Sequence, residues 1–118
     1  QYAGVEALTG PQDASARMVE AFRERRDVIV EGLNRIPGIR CLRPKGAFYV
    51  FPNIEATGMG SKEMEQFLLH EAGVAALSGT SFGAYGEGFL RLSYANSVEN
   101  INKALNRIDD SLAKLRRR

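Results

Sequence analysis

Arg91 is the residue whose type and position most directly suggest chemistry. It lies within FLRLSYA, residues 89–95, whose apolar and aromatic side chains predict a β-strand. Because side chains alternate along a strand, Arg91 is on the face opposite to Leu90, Leu92 and Tyr94. A desolvated guanidinium needs an anion, and its planar fork binds a carboxylate through two parallel hydrogen bonds. The pattern alone favours an internal Asp or Glu as that anion, with a bound small carboxylate as the alternative.

Other motifs with possible chemistry have simpler structural interpretations. The segment GTSFG, residues 79–83, matches neither a P-loop nor a dinucleotide-binding motif, and it predicts a flexible loop. His70 has no second histidine or cysteine with which to form a metal site. Ser61 is predicted to cap a helix, with Lys62 in solvent. The single Cys41 allows no internal disulfide and is typical of a reducing compartment.

Composition limits the function classes that remain. The 118 residues, 44% of them apolar and 25% charged, are sufficient for one domain with a core. The sequence has no apolar run long enough for a membrane helix and no secretory leader, and its first residue, Gln1, suggests a segment cut from a longer protein. The net charge is +2, but Lys114 and residues 116–118 contribute +4, so the rest of the chain carries a net charge of −2. We therefore expect neither a nucleic-acid nor a membrane partner.

Periodicity and turn signals predict alternating helices and strands. Apolar spacing and capping residues predict helices over residues 1–8, 12–35, 61–72 and 98–115. Short β-branched or aromatic runs predict strands over residues 39–42, 47–51, 74–77 and 89–95. The sequence therefore predicts an α/β fold, a two-layer α+β arrangement that, from the helix over residues 12–35 onward, has the order helix-strand-strand-helix-strand-strand-helix. Its small mixed or antiparallel sheet has the helices on one face, and the other face is left to water or to something that this chain does not contain.

Several motifs, in this order and spacing, resemble a known family. They are FRERRD at residues 22–27, PKGAFY at 44–49, GTSFG at 79–83 and GFLRLSYA at 88–95. Together they resemble the C-terminal small domain of class I and II, fold-type-I aminotransferases, which depend on pyridoxal phosphate. The likeness covers nearly the whole chain and is greatest to the bacterial aspartate aminotransferase branch.

The resemblance implies roles for particular residues. Arg91 matches the arginine that binds the substrate α-carboxylate, which reverses the preference for an internal ion pair. Gly46, Ala47 and Phe48 match a segment that approaches the substrate and shapes the mouth of the active site. The family's Schiff-base lysine and its cofactor-binding residues precede this segment. We therefore expect this chain to contain no catalytic residue, cofactor-binding residue or metal ligand, and to be inactive and unable to hold pyridoxal 5'-phosphate alone.

The resemblance also implies a reaction and an organisation. The full-length enzyme would transfer an amino group from an amino acid, with aspartate as the best candidate, to a 2-oxo acid such as 2-oxoglutarate. Residues 1–10 would end a helix of a missing N-terminal large domain, and residues 11–118 would form the small domain. A cytoplasmic homodimer is expected. The alternatives are a non-catalytic α/β module that binds small carboxylates, and a protein-interaction module.

Overall fold

Helices form most of the molecule in a computed structural model that describes residues 1–117. The helices are α1 (Tyr2–Thr9), α2 (Asp13–Arg35), α3 (Ser61–Phe67), which continues as a π-helical turn over Leu68–Ala72, and α4 (Val98–Arg116). Arg118, which the charge count above includes, lies outside the described residues. None of the described helices has the length and apolar character needed to cross a bilayer.

The helix ends follow the predicted capping chemistry in two places. The Ser97 hydroxyl accepts a hydrogen bond of 3.1 Å from the Asn100 N–H and caps α4. Gly73 adopts the left-handed conformation, with φ of 61°, directly after the π-helical turn. These two residues confirm that side-chain and glycine caps set the limits of both elements.

Three strands form an antiparallel sheet in the described part of the chain. They are β1 (Tyr49–Val50), β2 (Leu77–Ser78) and β3 (Leu90–Ser93), and β3 lies between the other two. In this register Tyr49 is opposite Ser93, and Leu77 is opposite Arg91. The predicted α/β class, the antiparallel sheet and the helical cover of one face are confirmed.

The predicted strand over residues 39–42 is wrong. Arg40 pairs with Asn53 in an isolated bridge, with backbone hydrogen bonds of 2.9 and 2.8 Å. The N–H of the next residue, Cys41, donates to the side-chain amide oxygen of Asn34 at 2.8 Å, and the Cys41 carbonyl accepts from the Asn34 amide N–H at 2.9 Å. Because one amide satisfies both backbone groups, Cys41 has no need of a neighbouring strand.

The core lies between the helices and one face of the sheet. Helix α2 crosses α4 closely at Gly32, where an added Cβ would meet the Leu105 side chain, with its Cδ2 at 3.0 Å and its Cδ1 nearer still. The side chains that are least exposed come from every layer, and they include Leu33, Val50, Ile54, Met64, Leu68, Leu90, Tyr94 and Ile108. This packing fixes β3, and therefore the backbone that carries Arg91.

Helix α1 and the start of α2 lie outside this core. No residue of α1 is buried, and Tyr2 and Leu8 are 94% and 86% exposed. Met18 and Val19 on α2 are also exposed. Exposed apolar side chains on one projecting helical arm mark a surface suited to contact with other protein.

Candidate functional site

Strand β3 separates its side chains as the alternation predicts. Leu90, Leu92 and Tyr94 are buried against the helices, whereas Arg91 is partly buried and Ser93 exposed on the other face. Arg91 therefore extends from the middle strand of the sheet onto the face that the helices leave open. A side chain there is held at its base by the sheet while its end remains accessible.

Two aromatic rings enclose the Arg91 guanidinium. Its Cζ lies 4.4 Å from the centre of the Tyr49 ring and 4.0 Å from the centre of the Phe82 ring. Aromatic faces attract a cation, and the attraction grows when water is excluded. Two rings therefore pack against the guanidinium, whose N–H donors lie in its plane and are available to a ligand.

Arg91 has no acidic partner among the described residues, and its side chain donates no hydrogen bond to any of them. Other arginines do pair with carboxylates, for example Arg26 and Arg43 with Asp27, at 2.9 and 3.2 Å. The internal ion pair favoured by the bare strand pattern is therefore wrong. Arg91 instead borders an open depression of about 200 Å³, which Tyr49, Ala75, Ala76, Leu77 and Ser93 also line.

The loop before β3 holds Phe82 in place. It contains two short 3-10 turns, over Gly79–Phe82 and Ala84–Gly86, where the sequence predicted only a flexible loop. Gly79 and Gly86 approach so closely that an added Cβ on either would overlap the backbone of the other. The Gly79 N–H donates to the Phe89 carbonyl at 2.8 Å.

Ser61 fixes this loop, and it does not cap α3 as predicted. Gly60 occupies the N-cap position, and the Ser61 side chain is fully buried. The Ser61 hydroxyl donates to the Gly86 carbonyl at 3.3 Å and accepts from the Phe89 N–H at 3.1 Å. The Ser61 N–H in turn donates to the Glu87 carboxylate at 2.8 Å. Helix α3 thus anchors the loop that brings Phe82 over Arg91.

Neither Gly46 nor Phe48 lines the depression at Arg91. Both line a different hollow of about 450 Å³ between the start of α2 and the segment that leads into β1. Phe48 is 42% exposed, and its ring centre lies 4.2 Å from that of Tyr49. Phe48 is therefore connected to Arg91 through one intervening ring, whereas Gly46 is farther along the same segment.

The aromatic neighbours of Arg91 were missed in the sequence. Tyr49 had a signal, because alternation in the 47–51 run places it on one face with Ala47 and Phe51. Phe82 had none, because its position depends on the path of an irregular loop. Ser61 also gave no sign of its role, since a serine before an apolar helix is ordinarily read as a cap.

The surroundings of His70 and Cys41 give neither residue a chemical role. His70 is exposed and lies 3.3 Å from the Gln66 side chain. Within residues 1–117, no group of three His, Cys, Asp or Glu side chains is placed to hold a metal ion. Burial raises the pKa of the Cys41 thiol to about 11, so the thiol is protonated at neutral pH and is a poor nucleophile.

Comparison with known proteins identifies the family to which the chain is similar. The profile of the aminotransferase class I and II family matches residues 1–108. The aspartate aminotransferase of Pyrococcus horikoshii is 46% identical over 95% of this chain and 29% of its own length. The solved alanine aminotransferase of Pyrococcus furiosus superposes with a TM-score of 0.92 at 37% identity, over 96% of this chain and 29% of its own. A solved aromatic aminotransferase of Pyrococcus horikoshii gives a TM-score of 0.92 at 37% identity, over 98% and 31%.

The matches cover nearly all of this chain but only part of each relative. The chain spans about 29% of the length of the Pyrococcus horikoshii aspartate aminotransferase. The match nevertheless covers nearly all of this chain, including the strand that carries Arg91. The chain therefore belongs to the class I and II aminotransferase family.

Proposed function

We propose that this chain supplies the substrate-carboxylate site of an aminotransferase, with Arg91 as the residue that binds the α-carboxylate. One observation carries the proposal. A guanidinium on the open face of the sheet packs against two rings and has no carboxylate partner within residues 1–117. A partly buried cation in that state has unused capacity to bind an anion.

The enclosing rings favour a planar anion in one orientation. Tyr49 and Phe82 restrict rotation of the guanidinium, so less side-chain entropy is lost when a ligand binds. A carboxylate in the plane of the fork accepts two hydrogen bonds at once. That pairing fixes how the bound amino acid is turned about its Cα atom, and such orientation is a large part of catalysis in a reaction between two bound groups.

Class I and II aminotransferases depend on pyridoxal phosphate, which supplies the electron sink for amino-group transfer. The residues described here do not fit that cofactor. It needs a lysine beside the substrate, and no lysine within residues 1–117 lines the depression at Arg91. Lys62 is bound to Glu65 at 2.9 Å, and Lys45 and Lys103 line other hollows. We expect this chain alone to be inactive.

The cofactor and its lysine would come from the part of the relatives that this chain does not match. The exposed apolar residues of α1 and α2 support this division, because exposed apolar side chains are typical of a surface that contacts another domain. Residues 1–10 would then be the end of a helix from that domain, and residues 11–118 the small domain. The homodimer and the cytoplasmic location remain predictions from the family.

Aspartate and 2-oxoglutarate are the substrates that we propose for the complete enzyme. The support is that relatives at 46% and 43% identity are aspartate aminotransferases. Relatives of similar fold act on alanine or on aromatic amino acids, as their names state. A residue that binds the α-carboxylate serves all of these substrates alike, so the groups that distinguish their side chains would lie elsewhere.

Calorimetric titration with a dicarboxylate such as succinate tests the role of Arg91. We expect Arg91→Ala to weaken binding by about 10- to 100-fold, which is the usual value of hydrogen bonds to a charged group. Arg43→Ala is the matched control, because Arg43 is half exposed and already paired with Asp27. Its affinity should equal that of the wild type. Equal binding by Arg91→Ala, or no binding by any of the three proteins, would contradict the proposal.

A further inference from the structure

The segment that leads into β1 contains an unfavourable backbone conformation. Ala47 has φ of 63°, and it is the only non-glycine residue with a positive φ in the described chain. In this region Cβ crowds the following carbonyl, so the conformation persists only where neighbouring structure enforces it. Ala47 is itself exposed, so its own methyl group provides no packing that compensates.

Tyr94 provides the compensating contacts. Its hydroxyl donates a hydrogen bond of 2.7 Å to the Ala47 carbonyl, and its backbone N–H donates one of 2.9 Å to the Phe48 carbonyl. Tyr94 is 2% exposed, and its ring lies edge-on against Phe22 at 6.1 Å. A tyrosine hydroxyl is protonated at neutral pH and can donate, and burial raises the pKa of Tyr94 still farther from that range.

A continuous set of contacts joins this hydrogen bond to Arg91. Ala47 precedes Phe48, whose ring lies 4.2 Å from the Tyr49 ring. Tyr49 in turn covers one face of the Arg91 guanidinium at 4.4 Å. If Ala47 relaxed to a negative φ, the chain would enter β1 in another direction and both rings would shift.

We propose that Tyr94 is a positioning residue for the carboxylate site. Its hydroxyl holds Ala47 in the left-handed conformation, and through Phe48 and Tyr49 this fixes the orientation in which Arg91 meets the substrate. The inference rests on the proposed function of Arg91, although Tyr94 itself touches no ligand. A buried side chain directly after β3 thus controls the geometry on the open face of the sheet.

Tyr94→Phe tests this inference because it removes the hydroxyl and keeps the ring. A neutral hydrogen bond contributes about two- to tenfold to an equilibrium constant, and a smaller competent population weakens the apparent affinity by the same factor. We therefore expect succinate binding about two- to tenfold weaker. In the ligand-free protein, the NMR resonances of the Arg91 δ-methylene protons should move towards unshifted positions, because the ring currents of Tyr49 no longer act on a fixed guanidinium. Tyr85→Phe is the matched control, since Tyr85 is 98% exposed.

Substitutions at Ala47 separate positioning from general stability. Glycine adopts a positive φ without strain, so adding Ala47→Gly to Tyr94→Phe should restore both the affinity and the Arg91 resonances. Ala47→Val, with Tyr94 intact, should reproduce the loss, because a β-branched residue opposes this conformation. If Tyr94→Phe does not fold, Ala47→Val alone tests whether the conformation of Ala47 positions Arg91.

The outcomes distinguish this inference from the proposed function. Unchanged affinity and unchanged Arg91 resonances in Tyr94→Phe would overturn the positioning role and leave the Arg91 proposal intact. A loss that Ala47→Gly fails to restore would also overturn it. If instead Arg91→Ala binds succinate as well as the wild type, the proposed function fails. The shift of the Arg91 resonances in Tyr94→Phe would then still support the structural link.

Discussion

Replacing Gly86 with alanine should disrupt the loop that brings Phe82 over Arg91. An added Cβ would overlap the carbonyl carbon and oxygen of Gly79, and its third neighbour, the Thr80 nitrogen, would be only 2.8 Å away. Ordinary contacts begin at 3.4 Å. All three neighbours are backbone atoms, so no change of rotamer can relieve the overlap, and the loop must move away from its partner.

The hydrogen bonds that hold the loop determine the size of the effect. Detachment breaks the two bonds of the Ser61 hydroxyl and the bond from the Gly79 N–H to the Phe89 carbonyl. At about 1 kcal/mol each, these contribute about 3 kcal/mol to the free energy of unfolding. Losing the Phe82 ring from Arg91 adds about 0.5–1 kcal/mol. We expect Gly86→Ala to lower the free energy of unfolding by about 3–4 kcal/mol and to weaken succinate binding.

Urea denaturation followed by far-ultraviolet circular dichroism measures this change. Gly79→Ala should have a similar effect, because the Cβ added at Gly79 would overlap the backbone of Gly86. Gly4→Ala is the control: its added Cβ meets nothing within 4 Å, and alanine in a helix is favoured by up to about 1 kcal/mol. A loss below about 1 kcal/mol for Gly86→Ala, at an unchanged denaturant slope, would refute the reasoning.

Two further predictions concern pH. The unfolded Cys41 thiol ionises near its ordinary pKa of 9.0 while burial keeps the folded thiol protonated up to about 11. The free energy of unfolding should therefore fall by up to about 3 kcal/mol as the pH rises from 9.0 to about 11. Urea denaturation of Cys41→Ala over the same pH range should not show this fall. The hydrogen bond from Lys62 lowers the pKa of Glu65, a shift that burial opposes and the Ser78 N–H reinforces. This stabilisation is present above pH 4.5 and lost as pH falls, so an acid titration in which wild type and Glu65→Gln lose stability in parallel would contradict the pairing.

The regular elements could be predicted because their signals are local. The spacing of Ile101, Leu105, Ile108 and Leu112 predicts one buried face of α4, and all four are buried. Alternation along β3 likewise separates Arg91 from the core. Such patterns depend only on the geometry of one element, which the sequence specifies directly.

The features that could not be predicted depend on contacts between segments that are distant in the sequence. Residues 39–42 have the composition of a strand, but the Asn34 amide, on another element, takes the backbone groups of Cys41. The Phe82 ring reaches Arg91 because Ser61 anchors an irregular loop from α3. No periodicity records such contacts. The site could therefore be centred on Arg91 from the sequence, whereas its enclosing rings required the fold.

The side-chain amide of Asn34 has a consequence for how the molecule behaves among its own copies. A short extended segment with a free N–H and carbonyl is a template on which another chain can add a strand. Asn34 occupies both groups at Cys41, and on β2 the Glu65 carboxylate accepts the Ser78 N–H at 3.1 Å. Helical side chains thus block two places where aggregation into a continuous sheet would otherwise begin, so a small sheet can remain small.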